Sequence, residues 1–409
     1  VSQKSVLVLG GGIAGASAAL DLAREGVRVL VVEQDDFLGG HAARLACKAT
    51  DDCLKCNGCL VEPRLADLVA HPGIELYLRT RVTAVTREGS GYLVTLERRP
   101  AYIDPERCTD CGLCLAKCPV VEQGAIRRTN LVGQRPRLAI DPAVCVYFRD
   151  RQSTLCRDVC PEEAIRFDLE PTTETVRMDA VVLATGFQAY DPATKPRFGY
   201  GQVPNVITGL DLETQLKRDG APRRPSDGRT PRRVAFIQCV GSRERERHNY
   251  CSRVCCGYAL RLGRALRHRF GCEVTVFYMD IQSFGHAFDE FLAAAEGELD
   301  LIRQIPGEAW PGEDGEVLVQ YVADPAQGQI FRPFDLLVLS VGVAPNPANA
   351  ALADWLGLGL DEHGFVAEPS PEAGPVFLAG TVTRPLDVSE VVAHAGRAAR
   401  ETIRYLEEK

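Results

Sequence analysis

The sequence predicts an α/β protein: two sheet-and-helix units of the nucleotide-binding kind, with a small cysteine-rich unit inserted into the first. Three observations predict it. The chain opens as strand, glycine turn, helix and second strand. A cysteine run spaced C-x2-C-x2-C-x3-C-P begins at Cys108. A second apolar strand, Val234 to Ile237, leads not into glycines but into further thiols, in "QCVGSRERERHNYCSRVCCGYAL".

Bulk properties narrow the class. At 409 residues and 45% hydrophobic content the chain can bury a full core, and at roughly 100 to 200 residues per domain it is long enough for several. A net charge of -8 argues against nucleic acid or anionic membrane as partner, since both need a basic face. The chain enters a strand with no charged leader, and no stretch approaches the roughly 20 apolar residues of a membrane helix. A cytoplasmic protein without direct membrane insertion is expected. Its 16 cysteines then read as metal or redox groups rather than disulfides.

The first element is "VLVLGGGIAGASAALDLAREGVRVLVVEQ". The run Val6 to Leu9 reaches Gly10-x-Gly12-x-x-Gly15, an Ala-rich amphipathic segment follows, and the run Val29 to Val32 ends at Glu33. Gly10 allows the tight turn, Gly12 lets the backbone approach a pyrophosphate, Gly15 lets helix and strand pack closely, and the helix N-terminus supplies partial positive charge. Glu33 can accept hydrogen bonds from an adenosine ribose. A glycine triplet alone is an ordinary turn; with both strands, the helix and the terminal acid it predicts a dinucleotide site.

Two later segments favour FAD over NAD. "VVLATGFQAYDP" (181–192), with Thr185 and Gly186, and "VFLAGTVTRPLDVSEVVAHAGRAARETI" (376–403) resemble the later FAD-domain segments of thioredoxin reductase-like flavoproteins. The second is a strand ending at Gly380, a turn, and a helix starting near Asp387 to Ser389. Its positive dipole end would favour an anionic reduced ring. That family usually has Asp after the glycine; Thr381 stands here, and its hydroxyl can still bond a ribityl or phosphate oxygen.

After the second strand come Gly39 and Gly40, then "ACKATDDCLKCNGCLVEPRLADL" with Cys47, Cys53, Cys56 and Cys59. In flavin disulfide reductases this region runs beside the isoalloxazine ring. The four thiols read as an iron-sulfur cluster, a Cys53-x-x-Cys56 redox dithiol or a structural zinc site. Four cysteines exceed what a dithiol needs.

"CTDCGLCLAKCPV" is the bacterial ferredoxin run, and "CVYFRDRQSTLCRDVCPEEAI" is its partner half. By the cross-over rule Cys108, Cys111, Cys114 and Cys160 hold one 4Fe-4S cluster, while Cys118, Cys145 and Cys156 belong to a second. The second set is one thiolate short, because Ser153 stands three before Cys156. A 3Fe-4S cluster, a 4Fe-4S cluster with a serine, water or other ligand, and no second cluster remain open. Zinc is the bland alternative for the region, and it seldom uses this tandem pattern.

The last cysteine group is Cys239, Cys251, Cys255 and Cys256. Without the glycine spacing a nicotinamide dinucleotide lacks close backbone approach here. The four thiols can converge if the intervening loop turns back over the strand end, and the loop arginines Arg243, Arg245 and Arg247 suit an anionic cluster. Buried structural cysteines are the alternative. The adjacent pair implies an irregular site, since both cannot easily face inward on a regular helix. Cys272 reads as an ordinary buried cysteine.

The segments "GGGIAG", "FLGGHAARL", "CTDCGLCLAKCP", "LATGFQAYDP", "QCVGSR", "YCSRVCC" and "FLAGT" together resemble the A-type flavin and iron-sulfur subunits of heterodisulfide reductases. The resemblance implies a thioredoxin reductase-like two-domain flavoprotein, with a Rossmann-type FAD domain, a second nucleotide-like domain and an inserted ferredoxin-like domain. It also implies FAD, two to four 4Fe-4S clusters including one on the Cys239 set, and electron bifurcation or confurcation in anaerobic metabolism. The implied partners are B and C type subunits, a hydrogenase- or dehydrogenase-linked donor, or ferredoxin. An end after the flavin domain is expected here, whereas many relatives add a further C-terminal ferredoxin domain. Expected boundaries are 1–100 and 171–204 for the first two pieces of the FAD domain, 101–170 for the insert, 205–332 for the second domain and 333–409 for the last FAD piece. No side-chain nucleophile is expected. The alternatives are a self-sufficient NAD(P)H-dependent disulfide or iron-sulfur oxidoreductase and a non-catalytic cluster scaffold.

Overall fold

The computed structural model describes residues 3–51, 53–129, 137–245, 248–282, 288–324, 328–370 and 373–409. The first sheet is parallel throughout. Its strands run in the order Val376–Leu378, Ala180–Leu183, Ser5–Leu9, Arg28–Val32 and Ile74–Tyr77. The central strands are unbroken apolar runs because both faces are covered. Val6, Val8, Val29 and Val31 meet the helices on one side; Leu7, Leu9, Leu30 and Val32 meet the other layer. On the helical side, Ile13–Arg24 and Val388–Glu407 share a core through alanines, among them Ala16, Ala19, Ala395 and Ala398. Side chains this small let two helix backbones approach closely.

A three-stranded antiparallel sheet, Thr80–Glu88, Gly91–Arg98 and Thr172–Met178, covers the opposite face with Val85, Tyr92, Val94 and Leu96. Arg98 pairs with Thr172, so residues 99–171 leave and return at one hairpin end. An Ile103–Ile165 bridge closes the insert, whose own core gathers Ile126, Leu138, Ile140 and Phe167 around its cysteines.

The second half repeats the plan. A parallel sheet runs Val206–Thr208, Leu336–Val341, Arg233–Val240, Glu273–Phe277 and Asp300–Ile302. A second three-stranded antiparallel sheet, Glu308–Pro311, Val317–Asp324 and Gly328–Phe334, packs beside it. One strand corrects the expected division at 332: the fully buried Leu336–Val341 pairs between Val206–Thr208 and Arg233–Val240, so it belongs to the second sheet. Among the described residues no helix is long and apolar enough to cross a membrane.

Candidate cofactor cavity and cysteine sites

A cavity of about 360 Å³ opens where the two halves meet. Gly10, Gly12, Glu33, Gly39, Gly40, Thr185, Gly186 and Thr381 line it, drawn together from five separate stretches of sequence. Gly10 has φ +111°, and a Cβ there would strike the Ala184 carbonyl; a Cβ at Gly15 would strike the Gly10 carbonyl. At Gly12, by contrast, a Cβ would meet nothing within 4 Å, the open cradle a pyrophosphate requires. Gly380 sits behind this wall, its N–H donating to His394 Nδ1 at 2.9 Å.

Glu33 is buried, and its carboxylate accepts from Gly11 N at 2.8 Å and Asp35 N at 2.9 Å. Burial raises its pKa, against the pull of those two N–H groups. The acid therefore organises the glycine loop as well as facing the cavity. The helix Val388–Glu407 begins where expected. Its N-cap Asp387 and Glu390 form a capping box, so two carboxylates stand at the positive dipole end.

His41 was not singled out by any spacing rule. It stacks on Phe187 with ring centroids 4.4 Å apart, and its Nε2 lies 3.1 Å from the Phe187 carbonyl. Its Nδ1 is buried with no hydrogen-bond partner among the described residues. Burial, then Arg44, lowers its pKa, so the ring is held neutral with a spare acceptor on the cavity wall. Glycine cradle, buried acid and spare polar atom fit a flavin dinucleotide.

The inserted unit brings its thiols close to one another. Cys108, Cys111, Cys114 and Cys160 line one small cavity of about 20 Å³. Burial pushes Cys114 up to about 11, with the other three adding repulsion. Cys156 is pushed up to about 11 by burial, then by Cys145 and Cys118. Burial disfavours the free thiolate in both groups.

Cys239, Cys251, Cys255 and Cys256 also converge, at the end of the central strand of the second sheet. Cys239 sits at φ +58°, and the pairing register shifts between Ile237 and Val240. Burial and Cys256 raise Cys239 to about 11, and burial carries Cys255 well above its ordinary value. Both members of the adjacent pair are buried because the helix Cys255–Phe270 starts with them; the irregularity lies before it, at Arg253 with φ +62°. Gln238, 2% exposed, leaves both side-chain polar atoms unpartnered among the described residues, and the Ser242 hydroxyl does the same. Arg243 pairs with Asp280, while Arg247 lies outside the described residues. Four mutually facing buried thiols fit a sulfide-bearing cluster. Cys272 stands apart, its Sγ 3.2 Å from the Pro231 carbonyl.

The Cys47–Cys59 segment is not drawn into a buried group. Cys47, Cys53 and Cys59 are exposed; Cys56 is half-buried on the cavity wall. The segment is clamped by Arg261 on Leu54 O at 2.8 Å, Arg269 on Cys47 O at 2.9 Å and Asn57 on Ser389 Oγ at 2.6 Å. Within it Lys48 is buried against Glu213 at 2.5 Å, both 2% exposed. Among the described residues no three His, Cys, Asp or Glu side chains close on a single metal ion.

Cavity and thiol quartet share a wall. Arg253, Val254 and Gly257 line the cavity from the 251–257 stretch, and Arg253 donates to Glu390 at 2.8 Å, binding that stretch to the helix Val388–Glu407.

Comparison with known proteins agrees with this arrangement. A family model for FAD dependent oxidoreductases matches residues 5–50, and one for 4Fe-4S binding domains matches residues 101–121. Thioredoxin reductase of Lactococcus lactis shares the fold with a TM-score of 0.56 at 17% identity, covering 100% of both chains. The T. acidophilum enzyme gives 0.53 at 14%, covering 98% of each. The A-type subunit of the H(2):CoB-CoM heterodisulfide,ferredoxin reductase of Methanothermobacter marburgensis is 35% identical over 97% of this chain and 63% of its own length. The A-type iron-sulfur subunit of the CoB--CoM heterodisulfide reductase of Methanocaldococcus jannaschii is 36% identical, with the same coverage. The chain spans a little under two thirds of these relatives, and over nearly all of its own length it is similar to A-type heterodisulfide reductase subunits.

Proposed function

We propose that the chain is the FAD and iron-sulfur electron-transfer subunit of a heterodisulfide reductase-like complex, splitting or merging electron pairs. The observation that carries this reading is the wall shared by the cavity and the Cys239, Cys251, Cys255 and Cys256 group. Bound FAD would supply two-electron chemistry and 4Fe-4S clusters one-electron chemistry.

The chain's own part is to hold, shield and connect. Gly10, Gly12 and Gly15 shape the phosphate turn, Glu33 fixes it, and Leu386, Val388 and Val391 keep one side of the cavity apolar. Arg253 holds the thiol loop against the cavity helix. The Cys108 and Cys118 groups extend from one hairpin, a second route outward. Electrons would pass between this chain and B and C type subunits, a hydrogenase- or dehydrogenase-linked donor, or ferredoxin. Hydrogen, formate and ferredoxin in the relatives' names support donors and acceptors of that kind.

Anaerobic dithionite titration tests the junction. Flavin absorbance and cluster paramagnetism should change together in the same chain. A flavin that reduces with no iron signal following it would refute the reading.

A further inference from the structure

The inserted unit departs from the tandem cysteine pattern at one corner, and the structure shows what stands there. Cys145 and Cys156 are buried in the unit's core, and Cys118 packs against it. The tandem spacing assigns the remaining corner to residue 153, where the chain has Ser153. That hydroxyl takes part in a local turn. Its Oγ accepts from Leu155 N at 3.4 Å, where the helical turn Leu155–Asp158 begins, and Thr154 Oγ1 donates to Asp158 Oδ2 at 2.7 Å across the same turn. A neutral hydroxyl is also a far poorer partner for cluster iron than a thiolate, because soft sulfur donors select such clusters.

We propose that Cys118, Cys145 and Cys156 hold a three-iron 3Fe-4S centre, one thiolate per iron, and that Ser153 keeps the fourth corner without a ligand. The inference rests on the iron-sulfur reading of the inserted unit given above. Its consequence is asymmetry. The Cys108 set has four thiolates and the Cys118 set three, so the two centres differ in cluster type and charge. Those are the quantities that set reduction potential. The insert is then a relay of unequal steps rather than two equivalent stations.

Filling the corner has a defined balance. A three-iron centre in its oxidised state takes up one electron and one ferrous ion to become a four-iron centre. In Ser153→Cys the new thiol releases its proton to bind that iron.

The full chain, purified anaerobically and mildly oxidised, should show the paramagnetic signal of an oxidised three-iron cluster. Treated with ferrous iron and dithionite, Ser153→Cys should lose that signal and hold about one iron more per chain than the parent treated alike. Ser153→Ala should match the parent in iron and spectrum. A parent without the three-iron signal, iron lost in Ser153→Ala, or equal iron in parent and Ser153→Cys would each overturn the proposal. Cys111→Ser and Cys118→Ser separate this from failure of the underlying reading. If neither changes the iron content, the inserted unit carries no clusters at all. If both lose iron and the parent still lacks the signal, only the three-iron assignment falls.

Discussion

At the scale of single residues, Glu33 and Lys48 show how much a buried charge contributes here. Glu33 faces the cavity and holds the Gly11 and Asp35 N–H groups. A ribose hydrogen bond to the same carboxylate would be charge-assisted and worth about 1.5 to 3 kcal/mol, so Glu33→Ala should weaken flavin retention by roughly tenfold or more. Equilibrium dialysis of flavin from parent and variant measures it, and equal retention would remove Glu33 from the site. Burial also raises Glu33, so its ionised form is lost earlier on acidification than for a free glutamate. Glu213 is the second case. Burial raises its pKa and Lys48 opposes the shift, and Ala46 N donates to the same carboxylate at 2.8 Å. Glu213→Ala should cost about 3 to 5 kcal/mol, because it leaves the Lys48 ammonium buried without a counter-charge. Urea unfolding should show a clearly lower midpoint in the single variant and recovery in Lys48→Met with Glu213→Leu. Glu33 was legible in the sequence because it ends a strand after a glycine triplet. The Lys48–Glu213 pair was not, since nothing local to either residue signals that two such distant positions would meet.

At the scale of elements, the strand Arg233–Val240 and the helix Cys255–Phe270 form the strand-to-helix junction where a dinucleotide-binding unit places its glycine turn. Here the strand ends in a register shift with Cys239 left-handed, and the helix begins on Cys255 and Cys256. Each of four anaerobic variants, Cys239→Ser, Cys251→Ser, Cys255→Ser and Cys256→Ser, should lose about four irons if the cluster is lost whole. Cys272→Ser should keep its iron, because that thiol lies in the core of the second sheet with its Sγ against the Pro231 carbonyl. Full iron and an unchanged reduced spectrum in the four would make these thiols structural. Loss at three positions only would leave one of the adjacent pair a spectator. The spacing of the cysteines made the group visible in the sequence. Its physical form was not visible, because the left-handed residue at Arg253 and the contact of its side chain with Glu390 on a distant helix carry no local mark in the sequence.

At the scale of the whole molecule, two halves of similar plan differ at one equivalent point. Ser5–Leu9 and Arg233–Val240 each lie inside a five-stranded parallel sheet, each flanked by the strand that follows it through a helix and by a later returning strand. In the first half the strand meets a glycine turn and a helix starting at Ile13, four residues on. In the second, the helix starts fifteen residues after the strand, and the space between is given to thiols and the loop that carries them. A pyrophosphate needs backbone N–H groups at a helix N-terminus close to the strand end, and there Cys239 and Cys255 are buried instead. The similarity of plan was readable from the apolar runs, whereas the strand Leu336–Val341 falls across the expected boundary because a buried parallel strand carries no local mark of which sheet it joins. From this geometry the isolated chain should not be reduced quickly by NADH or NADPH, while dithionite reduces flavin and clusters alike. Anaerobic stopped-flow spectroscopy decides it. Flavin bleaching within milliseconds at modest NADH would mean that a nicotinamide finds productive access without the second glycine turn. The chain would then be a self-sufficient oxidoreductase rather than a junction fed by partner subunits.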